Sequence, residues 1–292
     1  MKGTVLGIAG IGLIGGSIAL RAHAAGATVI GYDRDPEALR AATGAGALDA
    51  IAPDLATLAE RCSIVAIALP VDATIDALSA TPQLERAELV FDVASVKLPV
   101  VEAARGLTHF VASHPLAGRE LGGFGAAEAA LFDGRTWAIA PARDAVAQTR
   151  LEAFVRALGA RPLVIAAAEH DRLVAISSHL PQLLSVALGA QLAAAGDADP
   201  RVYDLCGPGM ASMLRLAHSD AALWAPIAQA NATAVAEALE AVAAALRATA
   251  AGLQAGNLDA LLAAFEDAHR AVGALERSAT GARSLPYAVP KG

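Results

Sequence analysis

The run Gly10-Ile11-Gly12-Leu13-Ile14-Gly15 has the spacing that lets a backbone close on a diphosphate. It follows the apolar segment Thr4 to Ile8 and opens the helical pattern Leu13 to Ala25, the context this pattern requires. Gly10 is expected to permit the tight turn, Gly12 to remove a side chain where a pyrophosphate approaches, and Gly15 to bring helix and strand together. Backbone amides at Leu13 and Ile14 would then face the anion, with the helix dipole adding attraction. Asp33 ends the second strand segment, 18 residues beyond Gly15, where a carboxylate can accept hydrogen bonds from ribose hydroxyls. It favours NAD by repelling a ribose phosphate, but Arg34 beside it could pair with one, so NADP stays open. Pro70, just beyond the segment Ile64 to Leu69, is placed with the same cofactor group. The other candidate for chemistry is His114, in Ser113-His114-Pro115-Leu116-Ala117-Gly118, because an imidazole at a strand end can accept a proton near neutral pH.

The elements that must position these residues come in two styles. Short β-branched runs at Thr4 to Ile8, Thr28 to Tyr32, Ile64 to Leu69, Leu89 to Val93, His109 to Ala112, Trp137 to Ala140 and Leu163 to Ile165 alternate with helical patterns. That alternation predicts an α/β, Rossmann-type, doubly wound parallel sheet over residues 1–166. Beyond Ala166 the strand signal stops, and Ala- and Leu-rich helices are expected at Ala168 to Ala194, Pro208 to Ala217, Ala221 to Arg247 and Asn257 to Ser278. Residues 167–292 therefore read as an all-helical substrate and dimerisation domain, with a tail from Ser284 expected to be poorly ordered. The Ala/Leu-rich helices carry more apolar surface than a small bundle hides, so a homodimer is expected.

Composition removes several classes. With 55% apolar and 17% charged residues and a net charge of −7, the chain has no basic stripe for nucleic acid. Cys62 and Cys206 lie far apart without metal-ligand spacing, so no metal is expected, and both read as buried thiols in a reducing, cytoplasmic setting. The apolar start could pass for a signal sequence, but six glycines between Gly3 and Gly16 suit a strand and tight turn better than an inserting helix. Nor is there a segment with about 18 uninterrupted apolar residues, so no membrane partner is expected.

Six segments recur in order that together resemble the prephenate and arogenate dehydrogenase family of tyrosine biosynthesis: Gly10 to Ser17, Asp92-Val-Ala-Ser-Val-Lys97, His114 to Gly118, His170-Asp171, Ser178-His-Leu-Pro181 and Arg215 to Asp220. The resemblance implies an NAD(P)-linked oxidative decarboxylation of a cyclohexadienyl substrate, giving tyrosine or 4-hydroxyphenylpyruvate. It implies His114 as the base and Ser95 as its hydrogen-bond partner or that of the substrate hydroxyl. Arg215 would grip the side-chain carboxylate through two parallel hydrogen bonds. Glu120 or Asp171 is expected to pair with Arg215 until substrate arrives. His179, Gln182, Arg119 and Gly118 complete the expected substrate group. Gln182 stands where many prephenate-using relatives carry a second histidine, which favours arogenate or dual use. Arg119 replaces a small hydroxyl residue and either meets a substrate carboxylate or points to solvent. Lys97, at a helix start, reads as a solvated charge, and His170 as either structural or substrate-facing.

Two competing readings remain. A β-hydroxyacid dehydrogenase generally uses a lysine on the long helix opening the second domain, and His170 to Gln191 contains none. A non-catalytic dinucleotide-sensing dimer would need neither Ser95, His114 nor Arg215.

Overall fold

The structure is a computed structural model and describes residues 1–118 and 122–278. Six short strands make the main sheet: β1 (Val5–Ala9), β2 (Thr28–Tyr32), β3 (Ala50–Ile51), β4 (Ile64–Ile67), β5 (Leu89–Asp92) and β6 (Phe110–Val111). They pair in the order β3-β2-β1-β4-β5-β6, all parallel. The order reverses at β1, and the carboxyl edge beside such a switch point is where doubly wound sheets hold ligands. The strands can be nearly uniformly apolar because helices cover both faces, so neither face meets water.

Those helices are α1 (Leu13–Ala24), α2 (Pro36–Gly44), α3 (Leu55–Arg61), α4 (Val71–Ala80), α5 (Leu98–Ala103) and α6 (Ala145–Ala157). Asp35, Asp54 and Asp144 cap α2, α3 and α6 by accepting a backbone N–H in the first turn. One core packs Ile8, Ile18 and Phe91 with Trp137 and Phe154, and the other packs Val65, Ile67, Leu78 and Val96.

The sheet departs from the expected arrangement at one point. After β6 the chain leaves the main sheet and enters β7 (Ser113–Pro115), which pairs antiparallel with β8 (Thr136–Ile139), itself parallel to β9 (Arg161–Val164). The segments read as the last strands of one parallel sheet thus form a second, three-stranded sheet. Its anchor is Trp137, fully buried, whose indole N–H donates to Ser113 Oγ at 3.0 Å while that hydroxyl donates to the Asp92 carbonyl at 2.6 Å.

The helical part opens with one continuous helix over 167–198: α7 (Ala167–Val174), a π-helical turn (Ala175–His179) and α8 (Leu180–Ala198). By length and composition alone it could cross a membrane. Its polar residues His170, Asp171, His179, Gln182 and Ser185 are buried and bonded within the fold. Next come α9 (Pro208–Leu214), a 3-10 turn (Arg215–His218) and α10 (Ala221–Ala230), followed by α11 (Ala232–Gln254) and α12 (Asp259–Arg277). The chain divides by compactness at Val235/Ala236, well beyond the end of the strands. The reason is that α7 and α10 share the sheet's core, Ile227 lying in it and Ala167 packing against it. In the second unit, α11 and α12 are joined through Gly256, at φ +70°. Cys62 is buried as expected, whereas Cys206 is exposed, because it follows a short 3-10 turn, Pro200–Leu205, that buries none of its residues.

Candidate active site

The glycine turn has the form its spacing predicts. Gly10 sits at φ +96°, where any side chain would be strained and would also run into the Ala68 carbonyl. A Cβ on Gly12 would meet nothing within 4 Å, so the outer face of the turn stays open to a ligand. Gly12 is also the N-cap of α1 and has no side chain to satisfy the first-turn amides, including those at Leu13 and Ile14. Gly15 allows the closest approach, since a Cβ there would overlap the Gly10 carbonyl. These features fit a dinucleotide pyrophosphate.

Asp33 does more than its position implied. Its Oδ2 accepts the Ile11 N–H at 2.6 Å and its Oδ1 the Asp35 N–H at 2.8 Å, so the same carboxylate braces the glycine turn. Each oxygen keeps a lone pair for a ribose hydroxyl. Arg34 is exposed, and Pro70 is the N-cap of α4, following β4 at the same sheet edge.

His114 lies on β7, partly buried, with Nδ1 3.0 Å from Nε2 of His170 and the two rings crossed at 77°. His170 in turn places Nδ1 2.7 Å from Asp171 Oδ1. Asp171 is also bonded to the loop ahead of α5, accepting the Lys97 and Leu98 backbone N–H groups at 2.7 Å each. Burial holds the His114 imidazole well below its ordinary value of 6.5, and the neighbouring His170, Lys97 and His179 push the same way. A neutral ring at working pH is what a proton acceptor requires.

In the described structure the His114 ring is held by His170, and Ser95, expected to bond to it or to a substrate hydroxyl, sits two residues before Lys97 on the loop that Asp171 braces. Two expectations need correction here. Asp171 is committed to that loop and to His170, so it does not gate Arg215. Lys97 is no solvated charge: it is 1% exposed, pairs with the fully buried Asp92, and donates to the Ser113 carbonyl at 2.7 Å. Asp92 also accepts the Ala94 and Ser113 N–H groups, tying β5 to the strand that carries His114.

The helical side supplies His179, Gln182 and Arg215. His179 is buried, its Nδ1 lies 3.3 Å from Asn231 Nδ2, and its ring stands edge-on to Trp224 at 5.9 Å. Its Nε2 is buried with no partner among the described residues. The Asn231 amide N–H can only donate, so His179 Nδ1 accepts and the unpartnered Nε2 carries the hydrogen. Burial lowers the His179 pKa, so the neutral ring is favoured. Gln182, expected to contact substrate, makes two bonds within the fold. Its amide N–H donates to the Leu216 carbonyl at 2.7 Å and its oxygen accepts from the Ser219 hydroxyl at 3.4 Å, clamping α8 to the turn that opens with Arg215. Gly118 is exposed and lines a polar cavity of about 270 Å³ whose walls do not include His114. Arg119 and Glu120 lie outside the described residues. Sequence reasoning missed the His170–Asp171 link and Asn231; the adjacent pair His170-Asp171 was the available signal for the first, and nothing marked Asn231.

A parallel sheet with an open glycine turn at its switch point, joined to helices that bring buried histidines to one imidazole, defines a Rossmann-type nucleotide-binding protein with an appended helical domain. The chain belongs to the prephenate dehydrogenase family. Residues 17–164 match that family's nucleotide-binding domain and residues 166–267 its dimerization domain. It is 32% identical over 237 residues to the prephenate dehydrogenase of Bacillus subtilis, covering 78% of this chain and 64% of that protein. It thus spans less than two thirds of that relative's length. The fold is shared with prephenate dehydrogenase from A. aeolicus, solved with hydroxyphenyl propionate and NAD+, at a TM-score of 0.84 and 23% identity over 92% of this chain and 97% of the other. Synechocystis arogenate dehydrogenase gives a TM-score of 0.72 and 25% identity over 93% and 97%.

Proposed function

We propose that this chain catalyses the oxidative decarboxylation of arogenate, prephenate or both, yielding tyrosine or 4-hydroxyphenylpyruvate. NAD bound on the glycine turn supplies the hydride acceptor. His114 takes the proton of the ring hydroxyl as hydride leaves the carbinol carbon, the ring carboxylate departs as carbon dioxide, and the ring becomes aromatic. Arg215, on the turn clamped by Gln182, binds the side-chain carboxylate, and the unpartnered His179 N–H is a ready donor to a substrate oxygen. Ser95 belongs to the same group through the braced loop. Family membership and the two free thiols support a cytoplasmic homodimer.

The observation that carries this reading is the His114 imidazole, partly open, kept neutral by its surroundings and held through one nitrogen. The test mixes purified protein with NAD or NADP and each substrate while following absorbance of the reduced cofactor. Turnover with at least one substrate and a higher kcat/KM with NAD are expected, and His114→Asn should lower kcat by roughly a hundredfold to ten-thousandfold. Silence with both substrates, or a fully active His114→Asn, would remove the proposal.

A further inference from the structure

Four hydrogen bonds determine where the proton on His114 sits. Asp171 accepts backbone N–H groups on both oxygens, from Lys97 at Oδ1 and Leu98 at Oδ2, so it faces its neighbours as an acceptor. His170 Nδ1, 2.7 Å from Oδ1, must then be the donor of that pair. A neutral His170 ring with its proton on Nδ1 offers a lone pair at Nε2, and that atom is 3.0 Å from His114 Nδ1. Two lone pairs cannot face each other at this distance, so His114 Nδ1 carries a hydrogen. His170 is 3% exposed and Asp171 5%, so water cannot readily replace either link.

We propose that His170 and Asp171 are positioning residues that lock His114 in the tautomer with a free Nε2, making Nε2 the atom that takes the substrate proton. This rests on the reading of His114 as the base. The same carboxylate braces the loop bearing Ser95 and Lys97, so one group sets both the tautomer and the loop. The charged or titratable groups around the ring are His170 and Asp171 from α7, His179 from the π-helical turn, Lys97 from the β5–α5 loop and its partner Asp92 from the end of β5.

The test begins with the wild-type chain, free of substrate, carrying 15N-labelled histidine. At neutral pH the His114 ring should show a protonated Nδ1 and an unprotonated Nε2; a protonated Nε2 overturns the proposal. Two variants then separate positioning from packing. His170→Gln keeps one donor for Asp171 and one acceptor for His114, whereas His170→Phe keeps neither. His170→Phe should lose roughly tenfold to a hundredfold in kcat with KM little changed, and His170→Gln should regain most of it. Equal losses in the two variants, or an unchanged kcat in His170→Phe, would sink the idea. Full activity in His114→Asn would instead refute the base assignment, while the labelled spectrum still reports the tautomer.

Discussion

Lys97 departs furthest from the behaviour its residue type suggests. A lysine at a helix start ordinarily projects into water, but this one is enclosed and bonded to Asp92, with burial pulling the lysine down and the carboxyl up while their mutual attraction opposes both shifts. Removing one partner of such a pair leaves a buried charge uncompensated. Lys97→Met is therefore expected to reduce unfolding free energy by about 3–5 kcal/mol. Adding Asp92→Asn should recover part of that loss, because the stranded charge is gone. Urea titrations of the two variants against wild type check both statements, and equal losses would contradict the charge argument. At this scale the sequence was legible where a local pattern fixes the backbone, as at the turn made by Gly10, Gly12 and Gly15. It was illegible for Lys97, because the Ser113 carbonyl it bonds lies 16 residues further on and only the turn from β6 into β7 brings the two together.

Strands were readable as elements because a doubly covered sheet demands uniform apolar runs, and β1, β2, β4 and β5 each have one. The two-residue β3 exists only through its pairing with Ile30 and Gly31, so its own residues carry no signal. The helix α3 did have one, Asp54 before Leu55, Leu58 and Ala59, but its seven residues are too few for periodicity to stand out. The π-helical turn at Ala175–His179 follows the same rule: an extra residue in a turn shifts the direction of His179, and no composition announces it. Gln182 shows what an element can do for a site at one remove, since it holds α8 against the Arg215 turn. Gln182→Leu should orphan the Leu216 carbonyl and cost about 1–3 kcal/mol of stability. With Arg215 less firmly placed, KM for substrate should rise about tenfold, equivalent to 1.4 kcal/mol, with kcat nearly unchanged. Gln182→His, which retains a donor for that carbonyl, should do less on both counts. Steady-state kinetics and thermal melts on the two variants decide it, and a fall in kcat without change in KM would contradict a placing role.

For the whole molecule, the sheet and its first helices close on themselves while the second unit does not. No side chain of α12 is buried among the described residues. Leu262, Phe265, Val272 and Leu275 are all more than 45% exposed and, at 100° per residue, fall on one side of the helix. An apolar stripe of this kind calls for a cover, and the match to the family's dimerization domain over residues 166–267 points to a second copy. Light scattering at micromolar concentration should therefore give the mass of two chains. Replacing Phe265 and Val272 with glutamate places two charges in the shared apolar contact, and each must be desolvated unpaired for the dimer to form. That double variant should move the mass to one chain while leaving the far-ultraviolet circular dichroism of the sheet and helices unchanged. A wild-type monomer would show that the stripe has some other cover. A double variant that remains dimeric would place the contact on another face, because two unpaired carboxylates cannot sit at the centre of an apolar interface without weakening it.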